Sequence, residues 1–258
     1  MKKFVITSLA VLSFVTASIE TTSLIATASS TPAIEQEKND ASKDPWGRAI
    51  RTTNLPKNYK DFPYILEHIP NVMYEGKHKF KFGEILTPAQ FAKESDYSTK
   101  TMSKWGDMVE QYGNQILNVD YRTIDQKWAD KVLAVQNQQN IMVRKNLLKY
   151  VSWVKKNHIR IEGKLTAEPS TASMGEGNFF MMARFKFKII SYDKNKDYII
   201  YDDWFTNNRL KEIAKNVEYE GFTDIQLDLT TYNGTLDQVK VSDGASINRH
   251  ATFKKAKR

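Results

Sequence analysis

Residues 179–190, FFMMARFKFKII, decide the fold class of this protein. Apolar side chains occupy every second position of the stretch. The positions between them are apolar at first and become basic at Arg184, Lys186 and Lys188. Because successive residues of a strand point to opposite faces of a sheet, the pattern predicts a long β-strand with one buried face. The other face is expected to turn to water midway along the strand.

The alternation of apolar and polar residues continues on both sides of this stretch. Upstream, Ile159, Ile161 and Leu165 alternate with polar neighbours, which predicts a partner strand. Downstream, residues 193–197 have the composition of a hairpin loop, and residues 198–201 are predicted to form the return strand. Further elements are expected beyond them: a short helix near 207–215 and strands near 216–231, 237–242 and 247–254.

The chain before residue 158 carries helical periodicity instead. One stripe has apolar residues three and four positions apart, on a single helix face: Met102, Trp105, Val109, Tyr112 and Ile116. A second stripe, with Thr123 as its predicted cap, consists of Ile124, Trp128, Val132 and Val135. A third run, after a break at the Gln/Asn-rich residues 136–140, contains Ile141, Leu147, Leu148, Val151 and Val154.

Residues 46–98 are interrupted repeatedly by proline, which predicts an extended segment wrapped over the core. Within them we expect a strand near 78–83 and a helix that begins at Pro88, with Thr87 as its cap. Because helices precede strands along the chain, the sequence predicts an α+β fold. A helical N-terminal half is expected to pack on a curved antiparallel sheet formed by the C-terminal half.

The N-terminal residues have the layout of a secretory signal. Two lysines are followed by an apolar run and then by the small residues Ala26-Thr27-Ala28. We expect residues 1–28 to be a signal peptide, cleaved after Ala28 or, alternatively, after Ala17. Residues 29–45 are predicted to be a disordered linker and residues 46–258 a single α+β domain. The product is expected to be secreted, to lack a transmembrane segment after cleavage, and to be held at the cell wall, if at all, without a covalent bond.

The charge of the chain favours anionic partners. The formal net charge is +8, which suits a cell-wall polymer, a membrane surface or another extracellular macromolecule. Candidate contact residues cluster at the basic C-terminus: Arg249, Lys254, Lys255, Lys257 and Arg258. The alternative is a tail that only aids solubility. The absence of cysteine from the sequence excludes disulfides, iron–sulfur clusters and thiolate zinc sites.

Candidate catalytic residues are few. Glu67 and His68 are adjacent in a proline-framed loop, and Asp202 and Asp203 follow the predicted strand 198–201. Adjacent strand residues point to opposite faces, which argues against joint action of the two aspartates. The histidines lack metal-site spacing, and the sequence has no phosphate-binding glycine motif, so we expect no metal and no cofactor.

Two stretches, residues 58–67 (NYKDFPYILE) and 116–124 (ILNVDYRTI), resemble a group of secreted proteins of spore-forming Gram-positive bacteria. Members of this group often carry a stalk domain like the N-terminal domain of copper amine oxidase. The resemblance covers roughly residues 55–258 and implies an extracellular setting, but it supplies no catalytic residues.

The leading functional hypothesis is therefore a non-enzymatic extracellular binding or cell-surface-associated protein of a Gram-positive bacterium. One alternative is a secreted hydrolase with a carboxylate site that includes Glu67, Asp202 or Asp203. Another is a host-directed toxin or effector, in which the strand at 179–192 joins a membrane hairpin.

Overall fold

The computed structural model describes residues 41–75, 85–94, 98–175, 177–194, 198–201, 213–232, 235–243, 245, 247 and 251–256. The chain divides into two units after Asn39, and every described residue belongs to the second. The predicted signal peptide, residues 29–40 of the predicted linker and the strand expected near 78–83 lie outside the described residues.

The described elements are helices and an antiparallel sheet that curls on itself. The helices are α1 (Asn71–Tyr74), α2 (Pro88–Glu94), α3 (Thr99–Ile116), α4 (Gln126–Val135) and α5 (Met142–Lys156). The strands are β1 (Ile85–Leu86), β2 (Val119–Asp120), β3 (Arg160–Ala167), β4 (Ser173–Gly175), β5 (Asn178–Ser191), β6 (Glu218–Tyr232), β7 (Thr235–Val241) and β8 (Thr252–Lys255). The coarse prediction of helices combined with an antiparallel sheet is confirmed.

Strand β5, which contains the alternating stretch, lies at the centre of the sheet. Strands β3 and β4 pair with one of its edges and β6 pairs with the other. Strand β6 in turn pairs with β7 and β8, while β2 extends the sheet beyond β3 and β1 beyond β4. All strands of the described sheet except β1 and β2 therefore pair directly with β5 or β6.

The inner face of the sheet is covered by helices. All five residues of the first predicted stripe lie on α3 and are buried, from Met102 to Ile116. Helix α3 packs closely on β3 at Gly113, where an added Cβ would lie 2.6 Å from the Cβ of Leu165. Only glycine allows this approach of helix and strand. The helical stripe and the alternating strand are thus the two halves of one core.

The starts of the helices partly follow the predictions. At α2, Thr87 Oγ1 accepts a hydrogen bond from the Gln90 amide (3.3 Å) and Gln90 Oε1 accepts one from the Thr87 amide (3.0 Å). This is the predicted cap, in the form of a capping box. At α4 the predicted cap Thr123 is wrong, because Asp125 accepts the amide hydrogen bonds of Lys127 and Trp128.

Two further predictions are wrong for reasons of tertiary packing. Residues 198–201 do not form a strand, because β6 already occupies the free edge of β5. Ile199, Ile200 and Tyr201 are buried instead, and the Tyr150 hydroxyl donates a hydrogen bond to the Ile199 carbonyl oxygen (2.7 Å). Ile141, predicted as part of the third helical stripe, precedes α5 and is 87% exposed. Of the helix expected near 207–215, only residues 213–215 are described, and they are not helical.

Residues 41–75, here called the covering segment, lie over part of the outer face of the sheet. Their regular structure is limited to a 3-10 turn at Tyr59–Asp61 and the single turn of α1, so a helical N-terminal half is not confirmed. Met182 of β5 and Phe222 of β6 pack against a second apolar cluster in this segment: Phe62, Ile65, Leu66, Ile69, Met73 and Tyr74. The predicted extended segment wrapped over the core thus buries the apolar part of the outer face.

Candidate functional site

Of the described residues predicted from sequence, His68 and Lys254 line one groove. Asp202 and Asp203 lie outside the described residues, as do Arg249, Lys257 and Arg258. Lys254 and Lys255 are exposed on β8. Glu67 is exposed, whereas the neighbouring His68 bonds to a different acid. The two adjacent candidates Glu67 and His68 thus differ, since only His68 has an acidic partner among the contacts described.

The acid that pairs with His68 is Glu168, which directly follows β3. Its side chain is only 1% exposed, and its Oε1 lies 3.0 Å from Nε2 of His68. Its other oxygen, Oε2, accepts a hydrogen bond from the guanidinium of Arg48. Two residues of the covering segment thus meet one buried carboxylate of the sheet, which satisfies the rule that buried charges are paired.

Arg48 is held on several sides. Its Nε donates to Asp44 Oδ2 (2.8 Å), and its Nη2 donates to the Ser170 hydroxyl (3.0 Å). The guanidinium also lies 5.3 Å from the centre of the Trp46 ring, within the range of a cation–π contact. Asp44 is as deeply buried as Glu168, so the single charge of Arg48 is shared between two carboxylates and His68 is the second basic side chain at this cluster.

A groove of about 430 Å³ opens beside this dyad, between the covering segment and the sheet. The covering segment contributes His68, Pro70 and Val72 to its lining. The outer face of the sheet contributes Arg184, Lys186, Glu220, Gly221, Phe222 and Lys254. Val72 is 60% exposed, so the groove has an apolar rim next to charged walls.

The charge of the groove is predominantly positive. Glu220 lies between two lysines, with its oxygens 3.6 Å from Lys186 Nζ and 3.8 Å from Lys254 Nζ. Lys164 of β3 is directly opposite Lys186 of β5 in the strand register. Like charges directly opposite each other on a sheet repel. Within the groove lining, one acid, Glu220, therefore faces three cations: Arg184, Lys186 and Lys254.

A second cluster contains the residue types of a catalytic triad without its geometry. His158 Nδ1 lies 2.8 Å from Asp193 Oδ2, and both side chains are more than half exposed. The Ser191 hydroxyl donates to the backbone carbonyl of His158 rather than to its ring (2.8 Å). A nucleophilic serine requires contact with the imidazole, so this cluster does not form a triad.

The second stretch of the family resemblance contains a structural turn. Asp120 accepts hydrogen bonds from the Arg122 amide (3.0 Å) and from Arg122 Nε (2.8 Å). The Arg122 guanidinium lowers the pKa of this carboxyl to about 2. The Asp120 carbonyl also accepts hydrogen bonds from the amides of Thr123 and Ile124. These contacts join β2 to α4, so this stretch shapes the chain rather than a ligand site.

Sequence reasoning identified His68, Lys254 and the basic alternation on β5, but it missed Glu168. That residue is 100 positions from His68, and no local pattern marks it. No group of three or more metal-ligating side chains occurs in the described part of the chain. None of the described helices is long and apolar enough to cross a membrane. No family model matches the chain, and neither the curated proteins nor the solved structures contain a significant match.

Proposed function

We propose that this protein is an extracellular binding protein that holds an anionic cell-wall polymer in the groove between the covering segment and the sheet. The observation that carries the proposal is the set of cations Arg184, Lys186 and Lys254 in the groove lining, with Lys164 of β3 opposite Lys186 in the strand register. Their mutual repulsion raises the free energy of the empty protein. A bound polyanion removes that cost, and neutralised cations release counterions from the polymer.

The spacing of the cations suits a linear polymer. Arg184 and Lys186 lie two residues apart on β5, so their Cα atoms are separated by roughly 6.6 Å, twice the rise of a strand residue. The next cation, Lys188, lies between Glu162 and Glu218 in the register. Lys254 lies across the sheet from them, beyond Glu220 in the register. A chain with regularly repeated phosphates or carboxylates meets several of these cations at once.

The shape of the site favours a chain over a membrane surface. The lining residues come from both walls of a groove, and His68 and Pro70 belong to the wall that rises above the sheet. A single polymer chain can contact both walls at once, whereas Lys186 and Lys254, which are more than half exposed, are open to either partner. The extracellular location rests on the signal-like N-terminus and on the resemblance to secreted proteins.

The proposal is tested by measuring binding of poly(glycerol phosphate) to the purified protein over a range of salt concentrations. The double variant Arg184→Gln/Lys186→Gln is expected to bind about tenfold more weakly or worse, with a smaller salt dependence. The control Lys127→Gln/Lys131→Gln removes the same charge from exposed positions on α4. Equal affinity of the two double variants contradicts the proposal. Stronger binding to anionic lipid vesicles than to the polymer contradicts it as well.

A further inference from the structure

We infer that the groove also cleaves phosphodiester chains that carry a hydroxyl group next to the phosphate, with His68 as the catalytic base. The inference rests on the proposed function, because the chain must first lie in the groove. It replaces the expectation of a purely binding role with a transesterification that the groove residues perform themselves.

The first support is the geometry of the dyad. The buried carboxylate of Glu168 accepts a hydrogen bond from Nε2 of His68 at 3.0 Å. In a neutral imidazole this contact places the hydrogen on Nε2 and leaves the lone pair on Nδ1. A carboxylate that orients a histidine in this way is the arrangement found behind general bases in hydrolases.

The second support is the position of the imidazole. The His68 side chain is 32% exposed and lines the groove, although its acid partner is almost completely buried. Arg48 already bonds to the same carboxylate, so the covering segment is attached to the sheet without the histidine. Because His68 lines the cationic groove, a polyanion bound there contacts it.

The third support is the set of cations in the same groove. Arg184, Lys186 and Lys254 line it together with His68. Cations placed around a phosphate stabilise the negative charge that develops on its oxygens in the transition state. Lysine ammonium groups also supply a proton to a leaving alkoxide.

The reaction balances without a metal or a second reactant. His68 Nδ1 takes the proton of the hydroxyl group beside the phosphate, and that oxygen attacks phosphorus. The bond from phosphorus to the next unit of the chain breaks, and the leaving oxygen takes a proton from Lys186. The products are a cyclic phosphate end and a free hydroxyl end. The imidazolium returns its proton to water, from which the amine of Lys186 regains one. The attack is intramolecular, which lowers its entropic barrier.

The experiment incubates the full-length protein with three polymers in the presence of a metal chelator. Poly(glycerol phosphate) and RNA both carry a hydroxyl beside the phosphate, whereas DNA lacks it. Cyclic phosphate ends, detected by ³¹P NMR or mass spectrometry, are expected from poly(glycerol phosphate), from RNA or from both. Comparing the products from these two polymers shows which of them is the substrate. DNA is expected to stay intact.

Two histidine variants separate catalysis from binding. His68→Gln should lower the cleavage rate by at least about 100-fold, because the general base is removed. Its affinity for the polymer should change little. His158→Gln alters the other acid-paired histidine, outside the groove, and should cleave like the wild type. Thermal unfolding of both variants checks that they fold.

The outcomes distinguish the two proposals. A wild-type protein that binds the polymer but produces no cyclic phosphate overturns the inference and leaves the proposed function intact. Cleavage of DNA, dependence on a metal, or full activity of His68→Gln also overturns it. A wild-type protein that neither binds nor cleaves the polymer contradicts both proposals. The wild-type product analysis does not depend on the folding of any variant.

Discussion

The two faces of β5 place neighbouring residues in opposite environments. On the inner face Phe185, Phe187 and Ile189 are at most 2% exposed and pack under the helices. On the outer face Lys186 is exposed, and Arg184 lines the groove. Stability therefore depends on one face of the strand and the proposed ligand on the other, so the two should respond independently to mutation.

The largest effect is expected from Phe185→Ala on the inner face. Removing a fully buried aromatic side chain leaves a cavity and should lower the free energy of unfolding by about 3–5 kcal/mol. The matched change on the outer face, Lys186→Ala, should alter it by less than about 0.5 kcal/mol. Chemical denaturation of both variants measures the difference. Similar losses from the two substitutions would mean that the faces are not distinct.

A smaller effect is expected where the covering segment is attached to the sheet. Arg48→Leu leaves the buried Glu168 carboxylate with His68 alone and should cost about 2–3 kcal/mol, because Arg48 keeps some contact with water. Hydrogen exchange in residues 41–75 should accelerate more than exchange in β5. Arg144→Leu breaks an exposed ion pair with Asp130 and should cost less than about 1 kcal/mol. An unchanged exchange rate in the covering segment would show that Arg48 does not hold it.

The smallest effect is expected at the turn before α4, away from both faces. The pKa of Asp120 is lowered from 3.8 to about 2, so its ionised form is favoured by folding. The stabilisation is present above pH 3.8 and is lost as the pH falls to about 2. Asp120→Asn should therefore be less stable than the wild type near neutral pH, and the two should converge in acid. Unfolding curves measured across that range test this, and a constant difference down to pH 2 would contradict it.

Local periodicity was sufficient to predict the core elements. The stripe on α3 and the alternation on β5 follow from the 3.6-residue and two-residue repeats of side-chain direction. The short apolar run at residues 198–201 was not sufficient to predict a strand. A run of this composition occurs both in strands and in buried loops. The conformation of residues 198–201 depends on β6, which occupies the edge of β5 that a return strand would need.

The candidate site depends even more on long-range contacts. Residue type alone identified Glu67 and His68 as candidates, but it did not identify the acid that pairs with His68. The strand β3 instead ends at the position that brings Glu168 under the covering segment. The contact between His68 and Glu168 cannot be predicted from the sequence around either residue, because it is produced by the packing of two distant segments.

By itself, the amino-acid sequence determined the positive charge, the absence of cysteine, the apolar stripe of α3, and which side of β5 is buried. The charge and the cysteine content are sums over residues. The buried side of a helix or strand follows from a repeat along that one element. Only the tertiary structure decided that Lys164 lies opposite Lys186, that Glu168 meets His68 and Arg48, and that a groove separates the covering segment from the sheet. Strand register and packing between distant segments set these contacts, since each depends on where two separate parts of the chain meet.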